Sequence, residues 1–252
     1  MPEDQIAQIG ADGRFLPGPL FGIDGAHRSG MLHRGVWLHV LSADDELLLV
    51  RRSPTMKTCT GLKSIIGEHH QGRERDIECA ARALREEVPG LINAWPGLSP
   101  RLLRERPRWF LFDYPGPISR TDRCLISEYV VRLPANASVA MQAIHAGRAR
   151  ELENEASELG FEPIASVWHA LRRQPQSFCA PTLLPLALLD SISDLCLRQR
   201  GGAPDELWQG GVRNLPLQLL FRMRANGSGG VPAATRAAMP EQLPQTLLKE
   251  RG

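Results

Sequence analysis

The stretch from Gly67 to Gly90 constrains the fold of this chain most, because a polar, glycine-punctuated loop leads there directly into a helical pattern. Apolar residues recur at the spacing of one helix face, at Ile77, Ala81, Leu84 and Val88. This spacing predicts an amphipathic helix that packs on a core through that face. Pro89 and Gly90 follow the pattern and predict the end of the helix.

Carboxylates lie on this predicted helix and in the loop before it. Glu86 and Glu87 share a face with Ala83, because residues three and four apart are neighbours on a helix. Glu74, in the preceding loop, can approach the same side. Three converging carboxylates suit Mg²⁺, which takes oxygen ligands and is commonly shared with substrate phosphates. The helix charges alone leave a second interpretation open, a solvated acidic face paired with neighbouring arginines.

The same stretch resembles a Nudix box, whose pattern is G-x5-E-x7-R-E-U-x-E-E-x-G-U, with U an aliphatic residue. The residues that match in register are Glu74, Arg82, Leu84, Glu86 and Glu87. Glu68 stands at the position of the first glycine, Pro89 adds a residue before the last one, and Ala83 stands at the position of a glutamate. In Nudix hydrolases that glutamate binds metal or acts as the base. The resemblance therefore implies a weakened hydrolase, in which Ala83→Glu is expected to raise turnover.

Composition narrows the class of protein and its surroundings. The 252 residues suit one large domain or one domain with a tail, and an apolar fraction of 42% is enough for a core. The net charge of +2 gives no argument for a nucleic-acid or membrane partner. Five cysteines without CxxC spacing predict reduced thiols inside a cell. No apolar run resembles a signal peptide or a membrane span, so we expect a soluble cytoplasmic protein.

The order of elements predicts a central domain with a further segment on either side. Residues 1–24 are expected to be irregular, residues 25–200 to form the domain, and residues 201–252 to be a flexible Gly/Pro-rich tail with one short helix. The predicted strands are Gly35–Leu41, Glu46–Arg52, Trp109–Tyr114 and Cys124–Leu133. The predicted later helices are Ile164–Arg173, Leu183–Leu197 and Leu215–Arg224, with residues 136–160 helix or loop.

Two groups of polar residues outside the box are further site candidates. His27 and His33, each followed by an arginine, are metal ligands or diphosphate contacts in one interpretation and part of a basic surface turn in the other. Arg51, Arg52 and Lys57 leave the second predicted strand in a cationic loop. Guanidinium and ammonium groups beside a metal site suit a diphosphate, whereas arginines at a strand end are commonly solvated.

Residues 32–64 and the box together resemble one branch of the Nudix superfamily, which contains isopentenyl-diphosphate isomerases and the hydrolases closest to them. The shared features are the His-Arg before the first strand, the LL-x-RRS strand end and a segment before the box that here reads Thr58-Cys59-Thr60-Gly61-Leu62-Lys63. The likeness extends over residues 25–190. It implies the Nudix fold of the α/β class, a mixed sheet between helices.

Carried over residue by residue, this resemblance implies a metal site. The positions at which the isomerases hold a divalent metal correspond to His27, His33, His69 and Glu128 in this sequence. Glu87 corresponds to the helix glutamate that helps to bind Mg²⁺. The isomerases also need a catalytic cysteine just before the box histidine, and neither Ile66 nor Gly67 supplies a group that can transfer a proton. Isomerase activity is therefore disfavoured.

The resemblance favours a Mg²⁺-dependent hydrolase of an organic or nucleoside diphosphate, with Mn²⁺ as the alternative ion. The metal ligands on the box side are Glu74, Glu86 and Glu87, and the residues expected to act in catalysis are Glu86, Glu87, Arg82 and Glu155. Because Ala83 removes one carboxylate, Glu155 or Glu128 is expected to supply the base. The alternative is a non-catalytic module that binds a diphosphate or a partner protein. The substrate and the oligomeric state stay open.

Overall fold

The structure, a computed structural model, describes residues 5–103, 107–114, 120–147, 156–174 and 177–179. Its strands are β1 (Gln5–Ile9), β2 (Phe15–Gly22), β3 (Leu32–Leu41), β4 (Glu46–Arg52), β5 (Lys63–Ser64), β6 (Ile66–His69), β7 (Arg101–Leu102), β8 (Arg108–Tyr114), β9 (Arg120–Arg132) and β10 (Ala156–Pro163). Its helices are α1 (Ile23–Ser29), α2 (Asp76–Glu87), α3 (Pro89–Ala94), α4 (Ala137–Gly147) and α5 (Ile164–Arg173).

A mixed sheet of eight strands is organised around β3. The strands run in the order β10-β4-β3-β9-β7, with β5 on β4, β6 on β3 and β8 on β9. β3 and β9 pair in parallel from Leu32↔Arg123 to Leu41↔Arg132, whereas β4 and β6 are antiparallel to β3. All residues from Val36 to Leu41 are buried, as expected of a central strand that is covered on both faces. The prediction of an α/β fold with a mixed sheet is confirmed.

One face of this sheet packs on the box helix α2. Val36 and Leu38 point to that face and belong to one core with four residues of α2, which are Cys79, Ala80, Ala83 and Leu84. The predicted apolar face of the helix is correct at Leu84 but wrong at Ile77, which is 36% exposed. Small side chains let a helix lie close to a sheet, so the cysteine and the alanines face the core and Ile77 does not.

The N-terminal segment is not irregular, contrary to the prediction. β1 and β2 form an antiparallel hairpin from Gln5↔Gly22 to Ile9↔Phe15, and α1 follows directly. Ile6 is fully buried and packs with Ala26 of α1 and with Met31. These tertiary contacts stabilise strands that the glycine-rich local sequence does not specify, because strand preference depends on context.

Most of the elements predicted after residue 34 are confirmed. β4 and α5 have the predicted bounds, while β3, β8 and β9 begin earlier than predicted. Residues 156–160 belong to β10 and are not helix or loop. Among the described strands β10 pairs with β4 alone, and this edge position accounts for their exposed polar side chains. The helices predicted at Leu183–Leu197 and Leu215–Arg224 and the tail 201–252 lie outside the described residues. None of the described helices is long and apolar enough to cross a membrane.

A disulfide joins Cys59 to Cys179, so the prediction of reduced thiols is wrong for this pair. Their Cα atoms lie 5.4 Å apart although the residues are separated by 120 positions in the sequence. The Cys179 N–H donates to the Lys63 carbonyl at 2.8 Å, and this long-range pairing brings the two thiols together. The spacing of the cysteines in the sequence could not show that Cys59 and Cys179 lie side by side. Cys79 and Cys124, the other cysteines in the described part of the chain, are free and buried.

Candidate metal centre and box helix

Three histidines and one aspartate meet on the sheet face opposite α2. The rings of His27 in α1, His33 in β3 and His69 in β6 have centroids 5.0 to 5.2 Å apart. The carboxylate of Asp122 in β9 lies 3.3 Å from His33 Nε2, with His27 Nε2 at 3.9 Å and His69 Nε2 at 4.0 Å. One ligand atom from each residue lies within 4.8 Å of the others. We call these four residues the histidine cluster.

Strand pairing places three members of the cluster on one face. β3 pairs with β6 so that Gly35 lies opposite His69, and with β9 so that His33 lies opposite Cys124. Side chains alternate along a strand, so His33, His69 and Asp122 point to the same side of the sheet. The side chains of Val36 and Leu38 point to the other side, towards α2.

Two glycines permit the close approach of the elements that carry the ligands. Gly30, the C-cap of α1, has a φ of 64°, a left-handed conformation that glycine adopts easily, and it turns the chain from His27 back to His33. At Gly35 a Cβ would lie only 2.9 Å from the Glu68 carbonyl oxygen on β6. A larger residue at this position would therefore push β6, and with it the third histidine, away from β3.

The surroundings of Asp122 favour an ionised carboxylate in the cluster. His33 Nδ1 donates to the Met31 carbonyl at 2.8 Å, so Nε2 is the ring nitrogen that faces Asp122. Burial raises the pKa of Asp122, but its interactions with His33, His69 and His27 outweigh burial and hold that pKa below its ordinary value. Asp122 is therefore a carboxylate at neutral pH.

The donor set fits a divalent transition-metal ion. His33 Nε2 and Asp122 Oδ1 are buried, face each other, and lack a hydrogen-bond partner among the residues that the structure describes. Buried polar atoms are normally satisfied, so such a pair indicates a missing ligand. Three imidazole nitrogens and one carboxylate oxygen are the donors that Zn²⁺ and similar ions accept. The His69 side chain is 24% exposed and gives the cluster an opening to solvent.

The box arginine forms a separate network on the α2 side. Arg82 donates to Glu74 Oε1 at 2.8 Å and to Glu86 Oε2 at 2.8 Å, and it lies 3.5 Å from Glu68. The Glu86 side chain is 52% exposed. Within the described ranges, oxygens of Glu74, Glu86 and Glu87 do not gather within 4.8 Å as a three-carboxylate group. Glu68, Glu74 and Glu86 thus surround a guanidinium. The predicted role of Glu74, Glu86 and Glu87 as metal ligands stays a prediction.

Ala83, at the position of the missing box glutamate, is fully buried. It belongs to the hydrophobic core with Val36 and Leu84 and does not lie at a solvent-filled site. The expectation that a carboxylate at this position would stand beside the metal therefore conflicts with the packing. A glutamate here would place its charge among apolar side chains.

Glu128, one of the predicted carboxylates, does not join the histidine cluster. Glu128 is six residues beyond Asp122 on the same strand, so it is about 20 Å away at about 3.3 Å per residue. It is buried and pairs in register with Trp37. Glu155, the predicted base, lies outside the described residues.

The predicted cationic loop contacts both β10 and α1. Arg51 Nε donates to Glu158 at 2.9 Å, and Arg52 donates to a backbone carbonyl of its own loop. Lys57 forms an ion pair with Asp24, one turn before His27 on α1. The loop therefore reaches the helix that carries one member of the histidine cluster.

The sequence did not identify Asp122 as a candidate ligand. The resemblance directs attention to Glu128, further along β9. An available signal was the alternation of Asp122 and Cys124 at the start of an apolar strand, since a carboxylate beside buried positions is unusual. The parallel register of β3 and β9, which brings Asp122 beside His33, is visible only in the tertiary structure.

Comparison with known proteins identifies the family. The chain is similar to isopentenyl-diphosphate Delta-isomerase 1 of Aromatoleum aromaticum, with 33% identity over 94 residues, covering 34% of this chain and 48% of the relative. The match thus spans about half the length of that relative. Solved structures with a similar fold include DR0079 of Deinococcus radiodurans, with 19% identity, a TM-score of 0.46, and coverage of 68% of this chain and 90% of that one.

An Ap4A hydrolase of C. elegans is also similar, with 12% identity, a TM-score of 0.40, and coverage of 66% of this chain and 98% of that one. Both TM-scores lie below 0.5, so neither structure bears on the function of this chain. The model of the NUDIX domain matches residues 31–176, which is more than half of the sequence. This protein therefore belongs to the Nudix family.

Proposed function

We propose that the protein is a divalent-metal-dependent hydrolase of an organic diphosphate, and that the histidine cluster holds the metal. Nudix proteins generally use divalent metals and act on small-molecule diphosphates. The observation that carries the proposal is the convergence of His27, His33, His69 and Asp122 with one ligand atom each within 4.8 Å. A divalent ion bound there would neutralise phosphate oxygens and lower the pKa of an attacking water.

The donor types favour Mn²⁺, Zn²⁺ or a similar ion over Mg²⁺ in the cluster itself. Mg²⁺ takes oxygen ligands almost exclusively, whereas imidazole suits the later divalent metals. We therefore assign Mg²⁺, which the box predicts, to the phosphates of the substrate. Each of the three histidines is carried by a different secondary-structure element, so the fold itself keeps the cluster in place without substrate.

Lys57 is the cation best placed for the diphosphate. Its ion pair with Asp24 holds the ammonium on α1 near the helix turn that carries His27. The Lys57 side chain is 65% exposed and remains able to contact an anion. Arg51 and Arg52 already donate to groups of the protein, so we assign them the role of holding the loop.

A second candidate is a non-catalytic module that binds a diphosphate. It is favoured by the box network, because Glu74 and Glu86 already pair with Arg82 and Ala83 supplies no carboxylate. A third role is the isomerisation of isopentenyl diphosphate, the activity named for the relative. This role is disfavoured, because Gly67 supplies no thiol near His69 and Cys59 is held in a disulfide.

The decisive experiment compares the wild type with His33→Gln. Removing a ligand should weaken Mn²⁺ or Zn²⁺ binding more than 100-fold, since loss of an outer partner of a metal ligand alone costs about 10–100-fold. Affinity is measured by calorimetric titration of the metal-free protein. Hydrolysis and double-bond movement are then followed on a panel of nucleoside diphosphate compounds and isopentenyl diphosphate, with and without Mg²⁺.

His145→Gln is the matched control, because His145 is exposed on α4, far in sequence from the cluster. It should bind metal and turn over substrate like the wild type. Equal metal affinity in His33→Gln and the wild type would exclude the cluster as the metal site. Metal and diphosphate binding without turnover of any compound would favour the binding module.

A further inference from the structure

The backbone N–H and the backbone carbonyl of His69 are both held by residues of the Nudix box. The His69 N–H donates to Glu68 Oε1 at 2.9 Å, and the His69 carbonyl accepts from Arg82 Nη2 at 2.6 Å. Side chains alternate along β6, so Glu68 points towards α2 while the imidazole of His69 points to the opposite face. His69 thus links the box network to the histidine cluster.

We infer that Glu68 and Arg82 are positioning residues of the histidine cluster, which fix the His69 imidazole by fixing its backbone. The inference rests on the proposed metal centre and gives the box of this chain a role there. Glu68 stands at the position of the first box glycine, and a glycine could not accept the His69 N–H. This departure from the pattern thereby acquires a physical reason.

The geometry of Arg82 suits it to this role. Its side chain is only 11% exposed, and its guanidinium is fixed by Glu74 and Glu86 while Nη2 reaches the His69 carbonyl. Burial alone would lower the pKa of Arg82, but the hydrogen bonds to Glu74 and Glu86 and the charge of Glu68 raise it. A planar, permanently charged fork with several fixed partners holds a carbonyl more rigidly than a single flexible ammonium does.

Loss of these two backbone contacts should weaken metal binding, because a metal ligand must be held in a fixed orientation. The side chain of His69 is attached to the Cα that lies between the held N–H and the held carbonyl. A rotation of the backbone at this Cα therefore tilts the imidazole ring. Metal ligands must be held within about 0.5 Å of their working geometry. His69 is also the most exposed histidine of the cluster, at 24% of its side chain, and has the least packing of its own to fix it.

The test measures Co²⁺ binding and the visible absorption spectrum of bound Co²⁺, neither of which requires turnover. Glu68→Ala removes the acceptor for the His69 N–H, whereas Glu68→Gln keeps an oxygen that can accept it. Arg82→Met removes the donor to the carbonyl, whereas Arg82→Lys keeps one donor without the fork. Arg85→Met is the control, because Arg85 is an exposed arginine of the same helix.

We expect Glu68→Ala and Arg82→Met to bind Co²⁺ about 10–100-fold more weakly, with a changed spectrum. The conservative variants should recover part of the affinity, and Arg85→Met should match the wild type. If Arg82→Met does not fold, Glu68→Ala against Glu68→Gln still decides the question. The inference is overturned if the variants lose melting temperature but keep wild-type affinity and spectrum, because the role is then purely structural. A wild type that binds no Co²⁺ would instead overturn the proposed metal centre.

Discussion

The box network and the histidine cluster lie on opposite sides of β6 and differ in how they are built. The box network comes from one short stretch, Glu68 to Glu86, and its carboxylates surround Arg82. The histidine cluster comes from four separate elements and has a buried carboxylate and imidazole that face each other without hydrogen-bond geometry. In the first group one guanidinium pairs with three carboxylates, and we propose that a metal ion completes the second.

The box network is therefore a motif that can be recognised in the sequence, whereas the histidine cluster is a candidate ligand site that depends on the fold. The box can be found because its residues are local in sequence, but its charges are already satisfied in the fold. The cluster is hard to find because its members are distant in sequence, yet among the residues that the structure describes its atoms are the ones grouped as metal ligands are. Changes on the box side that leave the His69 backbone contacts intact should therefore affect mainly the free energy of unfolding. Changes in the cluster, or in Glu68 and Arg82 that hold His69, should affect metal affinity.

The largest expected effect is that of Ala83→Glu, which tests whether the box face is core or site. Ala83 is fully buried among apolar residues, so a glutamate there must ionise in the core or stay neutral. A pKa raised by about 3–5 units keeps this glutamate largely neutral at pH 7, which costs about 3–4 kcal/mol of unfolding free energy relative to the ionised group in the unfolded chain. Fitting the longer side chain into a packed core costs about 1–3 kcal/mol more. We expect a destabilised protein with no gain in turnover, measured by urea unfolding and by phosphate release.

Arg85→Glu is the control for Ala83→Glu, since it adds the same side chain at an exposed position of α2. It should change the free energy of unfolding by less than about 1 kcal/mol. A stable Ala83→Glu protein with raised turnover would show that position 83 reaches the reacting atoms. The comparison between the two sides of β6 would then fail.

The next largest effect is expected from Cys179→Ser, which removes the disulfide behind the cationic loop. The bond joins residues 120 positions apart, and cross-links of this kind contribute about 2–5 kcal/mol to the free energy of unfolding. Guanidinium unfolding is compared for the two proteins with and without a dithiol reductant. The reduced wild type should match Cys179→Ser, and the variant should not respond to the reductant.

Equal stability of the oxidised and reduced wild type would contradict this expectation. The thiols would then behave as reduced cysteines, as the spacing in the sequence predicts. The loop of Lys57, which includes Cys59, would in that case be held mainly by its ion pair to Asp24.

The smallest of these effects is expected from Asp76→Asn, which tests charge on the box side. Asp76 pairs with Arg34 Nη2 at 2.7 Å and with His70 Nε2 at 3.1 Å, and it accepts from Ser127. Burial raises the pKa of Asp76, but the bonds to His70 and Ser127 and the charge of Arg34 outweigh it and lower that pKa below 3.8. We expect a loss of about 2–3 kcal/mol at pH 7, since hydrogen bonds to charged groups each contribute about 1.5–3.

The pH dependence of this loss has a definite sign. A carboxyl whose folded pKa is lowered stabilises the fold above its unfolded pKa and loses that effect as the pH falls through the folded value. The difference between the wild type and Asp76→Asn should therefore be largest at neutral pH and shrink below about pH 4. Asp44→Asn, at an exposed position, is the control. A difference that stays constant from pH 7 to pH 2 would assign the effect to packing.

Much of the fold could be predicted because its signals are local. The strand β4 and the helix α5 were predicted with the bounds that they have, since apolar periodicity and punctuating prolines report directly on such elements. The hairpin of β1 and β2 was missed because Ile6 is buried only by contacts with Ala26 and Met31. β10 was missed because an edge strand with exposed polar residues resembles a loop.

The candidate site was predicted only in part, for a related reason. The resemblance pointed to His27, His33 and His69, and the structure brings their rings together. It gave no reason to choose Asp122, because which residue of β9 lies beside His33 depends on strand register. The roles predicted for Glu74, Glu86 and Glu87 as metal ligands are predictions still.

The sequence by itself determined the family, the α/β class and the position of the box helix, because each depends on residues that are close together in the chain. The tertiary structure decided which face of that helix is buried, and it placed Ala83 in the core. It also decided which carboxylate joins the histidines. Both depend on the pairing and packing of distant segments, where a shift of one residue turns a side chain to the opposite face of the sheet.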